Sequence, residues 1–503
     1  MDEEATREHT FEAVRAVVAT VRTTLGPRGK DKMIEQPDGT VLITNDAGTI
    51  LSETVVANPT AKLVVDVANA VGSERGDGTT TAVVLAGALL REAESLVEQG
   101  VHPSSIVRGY EQALSMARTE LDAMAESVEV DTETRRHVVE TTVAGKGLAG
   151  DRSTLVDLVV SAAELVSEGN DVETDRIRIV TQTGRPTDDS EVVEGAVLAA
   201  DPVRDSMPKE LESGRVVLTE APVQLTDTGY DTSIEIEDTE SFERFLQQED
   251  EQVREMVSSL TDVGANAVLC SGSIADEAQS ALSVEGVLGV RQIDDEALRF
   301  AADVLGGTVV SNLGALTEDH LGVGSLLRDE DDELYVIRGD HGEKRATVLL
   351  RAPTQQVADE LERHAEAALD VVAGADDGRL VAGGGATEVE LAGRVRRRAD
   401  GVPNREQLAV DAFADALESI PRVLAENAGA DPLDALVGLR NRHADGQRWA
   451  GIDESGEICD TFETNVLESA TMKTQILNSA AEAANLVLRI DGMLTVGDLS
   501  GDD

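Results

Sequence analysis

Residues 76–90 read Gly-Asp-Gly-Thr-Thr-Thr-Ala-Val-Val-Leu-Ala-Gly-Ala-Leu-Leu. An aspartate between two glycines and three hydroxyl residues open an apolar run whose helical character extends to about Glu98. This junction has the chemistry of an anion cradle. Glycines let the backbone approach closely, the amides of an opening helix face outward, and hydroxyls add further donors. Asp77 is placed to hold Mg2+ against phosphate oxygens. Without that aspartate the segment would read as an ordinary helix start; with it, the segment is a candidate nucleotide site.

Three more turn-rich segments surround this one. Apolar residues at Phe11, Val14, Val18, Val21 and Leu25 alternate steps of three and four, an amphipathic helix that stops at Gly26-Pro27. The run from Thr40 to Thr44 is strand-like and turns at Asn45-Asp46, after which helical spacing resumes at Leu63, Val67 and Val71. Gly383-Gly-Gly385 stands just before another helical stretch, and three consecutive glycines are costly to order without a reason. The P-loop sequence is missing, because Gly145-Lys146 is followed by Gly147 and not by Ser or Thr.

Between about Gly195 and Ala352 the texture changes to short β-rich runs at Val216–Leu218, Ala267–Cys270, Val287–Val290 and Thr308–Val310, separated by helical spacing. That alternation predicts an α/β domain with a mainly parallel sheet. The acidic run Asp329 to Glu333 reads as a solvated hairpin tip. Helical spacing returns in Val357, Leu361, His364, Ala368 and Val372 and again from Glu406 onward, so helical halves flank an inserted α/β domain. At 503 residues the chain is long enough for two or three domains.

The formal charge of −54 is the strongest compositional signal. Carboxylates at that density repel one another in dilute buffer, and molar salt, with a Debye length of about 3 Å, removes most of the repulsion. The composition predicts a high-salt cytoplasm. Nucleic acid is not expected as a partner, since no basic patch could neutralise phosphates. No membrane is expected either, since no apolar run approaches the roughly 20 residues that span a bilayer. Cys270 and Cys459 lack CxxC spacing, which argues against a disulfide framework or a zinc site.

The set of motifs and their order resemble the group II chaperonins over essentially the whole chain: TLGPRGKDKM (24–33), ITNDAGTIL (43–51), GDGTTTAVVLAGALL (76–90), VHPSSI (101–106), AGGGATE (382–388), LAENAGADP (424–432) and LRID (488–491). The resemblance implies a multi-domain α+β and α/β subunit with three parts. A mainly helical equatorial ATPase domain comes from both chain ends (1–128 and 386–503), a small intermediate hinge domain from 129–190 and 351–385, and an apical α/β domain from 191–350. It implies an ATP-dependent chaperone that encloses non-native proteins in a double ring of eightfold or ninefold symmetry, built from self or paralogous subunits. The lid would be built in, with no separate co-chaperonin.

By the same resemblance the cofactors are ATP and Mg2+, with K+ as a further ion. Leu25, Gly26, Pro27 and the loop Asp77, Gly78, Thr79, Thr80 and Thr81 would cradle phosphates, and Asp77 would coordinate Mg2+. Gly384 and Glu468 would contact the nucleoside, Lys146 would sense the terminal phosphate, and Asp46 would help orient the attacking water. The helical protrusion maps to about 226–256. There Phe242, Phe245, Leu246, Val253 and Met256 stand at helical spacing, suited either to client or lid contact or to packing within their own domain.

One departure bears on catalysis. The family's general-base aspartate lies in a helix resembling ERSxxDAL; here that segment reads Glu362-Arg-His-Ala-Glu-Ala-Ala-Leu369, with Ala367 at the aspartate position. Loss of a positioned general base costs on the order of 10²- to 10⁴-fold in rate. Asp370, three residues on and roughly on the same helix face, is the candidate to compensate. Two readings follow: an ATP-hydrolysing chaperonin subunit, or a ring subunit that binds ATP, hardly turns it over and regulates its neighbours. A small-molecule kinase or ligase would need a substrate-specific acid/base cluster, and the sequence offers none.

Overall fold

The computed structural model describes residues 3–37, 39–54, 58–75, 77–145, 152–224, 239–340 and 343–490. The chain folds as two compact units. The first comprises Met1–Thr174, Thr183–Asp189 and Arg351–Asp503, and the second Asp175–Gln182 and Ser190–Leu350.

The first unit is chiefly helical. Helix Thr79–Glu98 packs against Glu3–Val21, Pro59–Arg75, Glu406–Leu417 and Ala470–Leu488, so elements from both chain ends share one core. Within that core Val14, Val83, Leu89, Ile106, Phe413 and Ala484 are almost wholly buried. Two glycines explain how closely these helices approach. A side chain at Gly87 would overlap Val18, and one at Gly109, in helix Pro103–Met124, would overlap Ala409. Mid-helix glycine costs up to about 1 kcal/mol against alanine, a cost offset here by interhelical contact. His102 caps the helix Pro103–Met124 and Pro103 opens it, a position where the missing N–H is no loss.

A three-stranded sheet in this unit has Arg379–Ala382 at its centre, antiparallel to Leu467–Ser469 on one side and to Glu126–Ser127 on the other. Its register sets Val381 opposite Glu468, immediately before the triple glycine.

The second unit carries a seven-stranded sheet. Strand Ala267–Cys270 alternates: Ala267 and Leu269 face a cluster under helix Asp295–Leu305, while Val268 and Cys270 face helices Thr239–Asp262 and Asp276–Val284. This is the period-two pattern of a sheet covered on both faces. The expectation of a mainly parallel sheet is corrected. Ala267–Cys270 runs parallel to Leu288–Val290 and to Leu211–Thr219, and Val309–Val310 also runs parallel to the latter, but Gly322–Asp329, Leu334–Gly339 and Ala196–Ala199 add antiparallel pairings. The reason is the hairpin closed by the acidic run near 330–333, since a short tip can only join antiparallel strands.

Helix Thr239–Asp262 has a strong apolar stripe on one side. Val253, Val257 and Leu260 are buried by it against the sheet, and Met256 packs partly buried beside them. The assignment of Val253 to client or lid contact is therefore corrected: at 4% exposure it belongs to its own unit's core, because the helix can bury its stripe only on the sheet. Residues 226–238 and the side chains of Phe242, Phe245 and Leu246 lie outside the described residues.

Candidate functional site

Gly78 opens the helix Thr79–Glu98 in the left-handed conformation, with φ 94°. The first intrahelical bond runs from Ala82 N to Gly78 O at 2.9 Å, so the amides of Thr79, Thr80 and Thr81 have no intrahelical acceptor. Asp77 Oδ1 accepts from Gly78 N at 2.8 Å, which fixes the carboxylate at the mouth of the turn. Thr79 is buried, while Thr80 and Thr81 remain partly exposed. Three amides without intrahelical acceptors, two partly exposed hydroxyls and one carboxylate make a set suited to phosphate with a hard cation. Among the described residues no group of three or more His, Cys, Asp or Glu side chains could hold a metal ion. Mg2+ binds through one or two carboxylates plus substrate phosphates in preference to an all-protein cage, and Asp77 is the carboxylate at this turn.

A second group forms where the first helix ends. A 3-10 turn at Arg22–Thr24 leads through buried Leu25 to Gly26 at φ 82° and then Pro27. Asn427 Nδ2 donates to Arg22 O at 3.0 Å and to Leu25 O at 2.9 Å, holding this turn from the C-terminal half of the chain. Asn45 Nδ2 donates to Gly145 O at 2.6 Å. Any side chain at Gly145 would overlap the carbonyl of Gly26, so the segments around residues 26 and 145 meet backbone to backbone, and the Asn45 side chain ties in the third. Asp46 caps helix Ala47–Glu53 by accepting from Thr49 N at 2.6 Å.

The third group surrounds the triple glycine. Gly384 and Gly385 have φ 64° and 78°, and Gly385 opens helix Ala386–Ala399. Gly384 O accepts from Ile452 N at 2.9 Å, and Thr461 Oγ1 donates to Gly383 O at 3.0 Å. The sheet register brings Glu468 beside Gly383, where a Cβ would lie 3.2 Å from the carboxylate carbon. Burial raises the Glu468 carboxyl above its ordinary value; Lys473 works against this, and the charges of Glu388 and Asp77 add to it.

Sequence reasoning missed Lys473 and Glu388 as site residues. Lys473 is almost wholly buried and lies 2.6 Å from Glu388 Oε1 and 2.5 Å from Glu468 Oε2. The available signal was a lysine, rare in this chain, in the first turn of a helix whose other charged residue is Glu482. Lys146 lies outside the described residues. In helix Gln355–Ala373, Ala367 is buried while Asp370 is exposed on the helix surface, its carboxyl raised by partial desolvation.

Comparison with known proteins covers nearly the whole chain. The TCP-1/cpn60 chaperonin family model matches residues 17–497. The chain is 47% identical to thermosome subunit 2 of Haloferax volcanii, over 99% of this chain and 91% of that protein. It is 46% identical to thermosome subunit beta of Halobacterium salinarum, with the same coverage. Against the thermosome subunit of Methanopyrus kandleri the identity is 43%, over 97% of this chain and 91% of the relative.

Proposed function

The chain belongs to the TCP-1/cpn60 chaperonin family and acts as an ATP-dependent chaperone, and we propose that its first unit binds Mg-ATP between the Asp77 turn, the Leu25–Pro27 turn and the triple glycine. The observation that carries this reading is the Asp77 turn, where Gly78 at φ 94° opens the helix Thr79–Glu98 and Asp77 Oδ1 accepts from Gly78 N at 2.8 Å. It sets a carboxylate beside the amides and hydroxyls of Thr79, Thr80 and Thr81 at the start of that helix.

In this reading the amides and hydroxyls of Thr79 to Thr81 bind phosphate oxygens and Asp77 holds Mg2+, which neutralises charge developing on the transferred phosphoryl group. Gly384 and Glu468 position the nucleoside, Asp46 orients water, and Lys146 answers to the terminal phosphate. The equatorial and intermediate parts expected from 1–190 and 351–503 correspond to the first unit except for Asp175–Gln182 and Ser190, which fall in the second, and the second is the apical part that takes non-native clients. Subunits of this chain or of paralogues assemble into a double ring with a built-in lid to which the segment 226–256 contributes. The acidic surface suits a cytoplasm of high salt. Among the described residues no helix is long and apolar enough to cross a membrane.

Hydrolysis in this subunit is slow because Ala367 stands where the family has its general base. Asp370 supplies the carboxylate from about 4.5 Å farther along the helix, and its raised pKa favours it as a base. The test is steady-state ATPase in multimolar KCl with Mg2+, with ATP binding measured in parallel. Ala367→Asp should raise kcat on the order of 10²-fold at unchanged affinity, and Asp370→Asn should lower the residual rate of the parent. Full activity in Asp370→Asn would remove Asp370 from the reaction. An Ala367→Asp protein no faster than the parent would show that position 367 does not limit hydrolysis.

A further inference from the structure

Lys473 is a charged side chain in a place where charge is expensive. It is 5% exposed in the first turn of the helix Ala470–Leu488, and an ammonium so far from water is tolerated only with close counter-charges. Two carboxylates supply them. Glu388, itself 4% exposed, stands in the first turn of the helix that the triple glycine opens and accepts from Nζ at 2.6 Å. Glu468, on the strand that precedes the Lys473 helix, lies at 2.5 Å. One cation thus ties the glycine turn's helix to the strand carrying the candidate nucleoside carboxylate.

The three are not equivalent. Side-chain exposure is 6% for Lys473 and 5% for Glu388 but 22% for Glu468, so of the three Glu468 is the one that opens outward. With two carboxylates against one ammonium, the cluster keeps an excess negative charge. The second oxygen of Glu388 has no hydrogen-bond partner among the described residues.

We propose that Lys473, anchored by Glu388, is the positioning residue that holds the Glu468 carboxylate in the orientation needed to accept from the ribose hydroxyls of the nucleotide, so that it governs nucleotide affinity and ribose discrimination and not the hydrolytic step. This rests on the nucleotide-site reading of the first unit. Lys473 itself touches no substrate.

The experiment compares Kd for ATP and 2′-deoxy-ATP, kcat and KM, and thermal melting for the full chain and for Glu468→Gln, Lys473→Met, Lys473→Met with Glu468→Gln, and the double variant Lys473→Met/Glu388→Gln. The double variant keeps the native cluster's net charge, so it is expected to fold even where the single variant does not. Lys473→Met is expected to weaken ATP binding about tenfold and to lower the preference for ATP over 2′-deoxy-ATP to that of Glu468→Gln, with kcat at saturation within about twofold of the parent. Adding Glu468→Gln to Lys473→Met should weaken binding no further, the signature of two residues acting through one contact. Melting at lower temperature with the ribose preference intact would overturn the proposal and leave Lys473 a structural ion pair. If Glu468→Gln also kept parental affinity and preference, the placement of the nucleoside at this turn would fall instead.

Discussion

Gly384→Ala is the sharpest probe of the triple-glycine turn. At φ 64° this residue is in the left-handed region, where a Cβ costs about 1–2 kcal/mol. Space is the larger obstacle. The new methyl carbon would lie 2.6 Å from Ile452 O and 3.0 Å from Thr461 Cγ2. Both neighbours belong to elements already tied to the turn, by Ile452 N to Gly384 O at 2.9 Å and Thr461 Oγ1 to Gly383 O at 3.0 Å. Relief to an ordinary contact needs a shift of about 0.8 Å, and a displacement near 1 Å at a binding site costs on the order of 10²-fold. ATP affinity should therefore fall by about 10- to 100-fold, with a lower melting temperature. The assay is calorimetric titration with Mg-ATP in molar KCl, beside thermal melts. Gly393→Ala is the control. It lies inside the helix Ala386–Ala399, where a Cβ would meet only the flexible end of Arg397 at 3.5 Å. It should stabilise by about 0.5–1 kcal/mol and leave binding unchanged. Parental affinity in a folded Gly384→Ala protein would refute the assignment of this turn to the nucleotide.

Glu418, wholly buried, is bound by Arg396 and Arg440. Burial alone would raise its pKa, but the two guanidiniums outweigh burial and hold it below the usual carboxylate range. A lowered folded-state pKa gives stability that is present above the unfolded value and lost as pH falls through the folded one. Glu418→Gln should therefore cost on the order of 3 kcal/mol near neutrality and flatten the acid limb of stability below about pH 4.3; an unchanged acid limb in denaturant titrations would refute the sign. With a formal charge of −54, the melting temperature should rise steeply between 0.1 and 1 M KCl as the Debye length falls from about 10 to 3 Å. A flat or falling scan would remove repulsion as the dominant surface term. Asp77→Ala should weaken Mg-ATP binding far more than binding of metal-free ATP, measured with and without a chelator, and equal losses would take Asp77 off the metal.

The sequence by itself determined what depends on neighbours close along the chain. Three-and-four spacing is a property of the α-helix, and it located the helices Glu3–Val21, Pro59–Arg75, Thr79–Glu98 and Gln355–Ala373 to within a few residues at most ends, the start of the first lying outside the legible pattern. Gly78, Gly384 and Gly385 were legible because only glycine takes positive φ without penalty. The interruption of a helical body by a β-rich insertion could be read from the change of period. Strand direction was not legible, since alternation is the same in parallel and antiparallel strands, and the pairing of Gly322–Asp329 with Leu334–Gly339 had to be seen. Nor was the fate of Val253, because an apolar stripe does not state which surface covers it. The buried trio Lys473, Glu388 and Glu468 and the apposition of Gly26 with Gly145 were decided only by tertiary structure. Their partners lie 80 residues or more away in the Glu388 and Gly26 contacts, and a charge reveals its burial only when the chain has closed over it.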